Sequence, residues 1–91
     1  MAVEQRIVTY RGDVQGVGFR YTACRVSGGH DVTGYVRNRP DGSVELVAEG
    51  DQAQIDAFLG DLQARMGRHI RRRDESTAPF SGRFHSFGVR H

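Results

Sequence analysis

The hydrophobic period of this chain changes across one glycine-rich stretch, and that change is its strongest constraint. From Gln5 to Arg11 an extended backbone puts Val8 and Tyr10 on one side and Ile7 and Thr9 on the other, as in a strand partly covered on both faces. Beyond the stretch from Gly12 to Gly18, Phe19, Ala23 and Val26 recur at helical spacing toward His30. Strand, loop and helix therefore follow one another in that order.

Two β-rich runs come next, Val32 to Asn38 and Ser43 to Glu49. They are separated by Arg39, Pro40, Asp41 and Gly42, whose early Pro and late Gly suit a turn, so the pair predicts a hairpin. Asp51 with Gln54 has the composition of a capping box, and Ile55, Phe58, Leu59, Leu62 and Met66 follow at intervals of three and four before Gly67. The end is less regular. His69 to Arg73 reads as a short strand, Asp74 to Gly82 as a polar loop, and Arg83 to Arg90 as a final strand carrying Phe84, Phe87 and Val89.

The resulting order, βαββαβ with room for an extra edge strand, predicts a split βαβ, ferredoxin-like α/β sandwich: an antiparallel sheet with two helices on one face. At 91 residues and 37% hydrophobic content, a second core would leave too few apolar side chains for either half, so one domain spanning 1–91 is expected. No repeat, linker or low-complexity tract interrupts it.

Composition excludes several classes of function. No run approaches the length of apolar sequence that a membrane span requires, and MAVEQRIVTY has no signal-peptide core, so a cytoplasmic protein is expected. Cys24 alone forms no internal disulfide and reads as a buried structural thiol. His30, His69, His85 and His91 are scattered without metal-ligand spacing, so neither a metal nor another cofactor is expected. Thirteen cationic side chains, all Arg, nearly balance eleven acids, and the net charge of +2 argues against a nucleic-acid binder. The basic stretch Arg65, Arg68, Arg71, Arg72 and Arg73 reads as a solvated helix end and edge strand.

Gly12, Gly16 and Gly18 allow a tight turn that exposes successive amide N–H groups before a helix N-terminus, and Arg20 falls in the first helical turn. Such a concavity suits a phosphate dianion. Taken alone, the string is explained by a plain turn and a solvated arginine about twice as readily. It lacks the Gly-Lys-Ser/Thr ending of a nucleotide P-loop. Asn38, taken alone, reads as a turn residue capping the hairpin.

Longer motifs separate these alternatives. Gly12 to Arg20, GDVQGVGFR, resembles the acylphosphatase signature GxVQGVGFR, and Gly34 to Gly50, GYVRNRPDGSVELVAEG, resembles that family's second signature. The separation of Arg20 from Asn38 is also the family's. The resemblance implies a metal-independent, monomeric hydrolase whose substrate is a small acyl phosphate and one of whose products is inorganic phosphate. It implies that Arg20 holds the phosphate, that Asn38 orients the attacking water, and that Gln15, Gly16, Val17, Gly18 and Phe19 supply a cradle of backbone amides. Asn38 closes the second strand, which is expected to lie beside the first, bringing both residues to one end of the sheet. An asparagine side chain cannot take a proton at neutral pH, so the substrate's own phosphoryl oxygens are expected to accept it.

The resemblance is strongest from Gly12 to Gly50. Where the family has Leu-Gly before its second strand, His30 and Asp31 stand here and make a more polar helix exit. Around Arg72 and Arg73 the chain is more basic than the family's strand, so a short or irregular strand and lower stability are expected there. Two other readings share the fold: a non-catalytic regulatory or anion-binding domain, like the one that begins a larger hydrogenase maturation factor, and an RNA-binding module. For the latter the hairpin offers only Tyr35 as an exposed aromatic.

Overall fold

The computed structural model describes residues 2–91; Met1, part of the expected domain span, lies outside the described residues. The strands are β1 (Val3–Gly12), β2 (Thr33–Asn38), β3 (Val44–Asp51), β4 (Ile70–Ala78) and β5 (Phe87–Val89). The helices are α1 (Phe19–Ser27) and α2 (Gln52–Met66), and a 3-10 turn, Gly67–His69, leads from α2 into β4. The sheet order is β4-β1-β3-β2-β5. Four strands pair antiparallel as expected, while the short added edge strand β5 runs parallel to β2.

The order corrects one expectation: β2 does not lie beside β1, because β3 folds back between them. The α1 crossover leaves one strand space, and the hairpin return fills it. Since β1 and β2 are both antiparallel to β3, they run in the same direction. Val44 is paired with Tyr10 on one side and Asn38 on the other, so both strands finish at the same end of the sheet.

Alternation determines which face is buried. Val8 and Tyr10 of β1, Val36 of β2, and Val44, Leu46 and Ala48 of β3 meet Phe19, Ala23 and Val26 of α1 and Ile55, Phe58, Leu59 and Leu62 of α2 in one cluster. The Phe58 ring lies 5.2 Å from Phe87 in edge contact, which ties the short fifth strand to the core.

Asp51 caps α2 by accepting from the Ala53 amide at 2.9 Å. The reciprocal half of the expected box is not made, because Gln54 Oε1 accepts from the Asp31 amide instead, at 2.9 Å. The polar helix exit is thereby used: Asp31 docks on α2, and His30 lies 3.4 Å from Asp61.

The last third differs most from expectation. β4 is not short, though its register against β1 shifts once, between Arg11 and Gly12: Asp74 to Ala78, read as loop, extend it along β1 as far as Gln5. The polar alternation of an edge strand hid it, since its pairing is made by backbone and most of its side chains remain exposed. The final strand contracts from Arg83–Arg90 to Phe87–Val89. The preceding segment crosses the sheet face opposite the helices, where Phe84 packs 5.8 Å from Tyr35 and the Arg90 guanidinium sits 3.8 Å over the Tyr35 ring.

Candidate active site

At the common end of β1 and β2, the turn out of β1 meets the start of α1. Gly18 is the N-cap residue of α1, in the left-handed region at φ 80° and with no side-chain cap. The first helical bond runs from the Thr22 amide to the Gly18 carbonyl at 2.9 Å, which leaves the amides of Phe19, Arg20 and Tyr21 without a backbone acceptor among the described residues. Open amides and the positive end of the helix together favour an anion.

A cleft of about 430 Å³ opens at this point, and Gly16, Gly18, Phe19, Arg20 and Asn38 all line it. Two residues of the expected cradle, Gln15 and Val17, have side chains outside this lining, which leaves the expected use of their backbone amides untouched. Val17 is 36% exposed and outside the lining. Gln15 turns its side-chain amide away, donating from Nε2 to the carbonyls of Arg39 at 2.8 Å and Ser43 at 2.9 Å.

Charge around the cleft is distributed unevenly. Arg11 pairs with Asp41 at 3.4 Å, and Arg37 and Arg39 both bond to Glu45, whereas Arg20 has no carboxylate within 4.0 Å among the described residues. An unspent guanidinium beside open amides is suited to an incoming phosphate. Burial pushes the Glu45 carboxyl up, but the bonds from Arg37, Arg39 and Tyr35 pull it further down, so it stays ionised under the hairpin. The Ser43 hydroxyl and amide hold Asp41 down to about 2, with Arg11 adding to the effect.

The remaining lining comes from Val14, Tyr21, Cys24, Val89 and His91. Cys24 is only half-buried, and burial raises its thiol above the usual range, away from nucleophilic use. Its place beside Arg20 was legible as an i, i+4 relation on one helix. Val89 and His91 carried no such signal, since their approach depends on β5 pairing with β2. Most of the basic stretch is turned to solvent, with Arg65 meeting Asp61 at 3.2 Å and Arg72 meeting Asp74 at 3.0 Å, whereas Arg73 is half-buried, 5.9 Å over the Tyr10 ring and 3.2 Å from Glu75.

The family model for acylphosphatases matches residues 6–89. The chain belongs to the acylphosphatase family. An acylphosphatase of Lactobacillus johnsonii is 38% identical over 88 residues, 92% of this chain and 97% of that one. Another, from Actinobacillus pleuropneumoniae, is 46% identical over 61 residues, covering 67% and 68% of the two chains. The crystal structure of the Bacillus subtilis acylphosphatase superposes with a TM-score of 0.83 at 26% identity, covering 99% of this chain and all of that one. As a member of this family, the chain is a hydrolase acting on acyl phosphates.

Proposed function

We propose that the cleft hydrolyses the carboxyl–phosphate bond with Arg20 and the amides from Gly16 to Arg20 holding the phosphoryl group and Asn38 orienting water. The observation that carries this reading is the meeting of an unpaired Arg20, the glycine turn and Asn38 in one cleft. The Asn38 side-chain amide has both a carbonyl acceptor and N–H donors, enough to orient a water without taking its proton. That proton passes to a phosphoryl oxygen as the P–O bond to the acyl group breaks, and carboxylate and inorganic phosphate leave. Catalysis then consists of positioning and charge neutralisation, with no covalent enzyme intermediate and no metal. The same reading takes the chain as one monomeric, cytoplasmic domain whose partners are the substrate and phosphate rather than nucleic acid.

Benzoyl phosphate hydrolysis in EDTA tests it. The native chain turns over, and folded Arg20→Gln and Asn38→Ala proteins each lose about 100-fold or more in kcat/KM, the scale expected for removing one preorganised charge-stabilising group. Native activity that EDTA abolishes and a divalent cation restores would overturn metal independence. An inactive, well-folded native chain would favour a regulatory domain that retains Arg20 for anion binding.

A further inference from the structure

We propose that Gln15 is a positioning residue, a strut that holds the phosphate cradle in register with Asn38. The proposal rests on the roles just assigned to Arg20 and Asn38. Gln15 Nε2 uses both of its N–H bonds across the gap, to Arg39 O at 2.8 Å and Ser43 O at 2.9 Å. Those carbonyls form the mouth of the β2–β3 hairpin, where the Arg39 amide donates to Ser43 O at 2.9 Å immediately beyond the Asn38–Val44 pair.

The hairpin end of the strut is itself fixed. Asp41 accepts from the Ser43 amide and hydroxyl at 2.9 and 2.6 Å, and the Arg39 side chain is anchored on Glu45. The loop end is not. Its glycines carry no side chains, and among the described residues the only other side-chain hydrogen bond from residues 13–18 is the exposed Asp13–Arg71 contact at 3.5 Å. Val14, fully buried, pins the loop by packing, which permits sliding more readily than a pair of directed bonds does. Phosphate and water must meet with their geometry fixed to a fraction of an ångström, and a misplacement of about 1 Å costs on the order of 100-fold in rate.

The test compares native, Gln15→Met, Asn38→Ala and double-variant proteins, each shown to be folded by circular dichroism. It measures kcat for benzoyl phosphate and the inhibition constant of inorganic phosphate. Met keeps the length of Gln and removes both donors. Gln15→Met is expected to lower kcat about 10- to 100-fold while phosphate inhibition moves by less than about threefold, because the cradle survives and only its register with Asn38 is lost. In the Asn38→Ala background the same change is expected to cost less than about threefold, since the group it positions is already gone.

An unchanged kcat in folded Gln15→Met overturns the proposal. So do losses that multiply in the double variant, or phosphate affinity that falls in step with kcat. Full activity in Asn38→Ala would instead sink the underlying assignment. Should Gln15→Met not fold, Gln15→Glu replaces it: a protonated carboxyl can donate one of the bonds, so its kcat relative to native is expected to rise as pH falls. A flat ratio counts against the strut.

Discussion

At the scale of single residues, backbone freedom and charge determine what can be changed. Gly18 caps α1 at φ 80°, and a Cβ built there meets nothing within 4 Å. Gly18→Ala is therefore expected to cost only the left-handed strain, about 1–2 kcal/mol, read as a lower urea midpoint. Gly12, at φ 133°, differs: its Cβ would stand 2.5 Å from the His69 carbonyl oxygen where β4 reaches the bulge. Gly12→Ala is expected to destabilise more than Gly18→Ala, and the reverse order would contradict the close approach of β4. Arg20 is the residue whose role is most local, since its helix position and its lack of a carboxylate partner both follow from its neighbourhood.

At the scale of elements, the hairpin turn carries a pH dependence. Asp41, held down to about 2 by Ser43 and then by Arg11, has a lower value folded than unfolded. Its contribution is thus complete above the ordinary aspartate value near 4 and disappears as pH falls toward about 2, when the unfolded chain binds the proton more readily. The stability gap between native and Asp41→Asn proteins should narrow across that window in urea titrations, and a constant gap would contradict it. Glu49 shows the same direction for a different element. Burial raises this carboxyl, but the Ser81 and Gly82 amides at 2.8 and 3.0 Å and the Gln5 amide at 2.8 Å lower it further, pinning the β4–β5 segment to the sheet. The apolar face of α2 is buried in the core, so Phe58→Ala should cost about 3–5 kcal/mol, measured by urea unfolding, because it also frees the ring contact to Phe87.

At the scale of the whole molecule, β4 pairs with β1 from Gln5 to Gly12 with one register shift at Arg11/Gly12, so the edge support is longer than expected. Elements with strong periodicity, β1, the hairpin and α2, were legible because burial of one face imposes a period on the sequence. The glycine turn and Arg20 were legible as a motif, and Asn38 as the end of a strand. Sequence could not show the placement of β3 between β1 and β2, the full length of the polar edge strand β4, or the parallel pairing of β5, since these rest on backbone bonds that leave little trace in side-chain chemistry. Gln15 marks the same boundary within the site: its place in the glycine turn was readable, but its two partners lie 24 and 28 residues away in the β2–β3 hairpin. Local sequence determined which groups are proposed to bind phosphate and orient water. Tertiary structure decided that they share one cleft, because only the return of β3 between two parallel-running strands brings both strand ends to the same edge of the sheet.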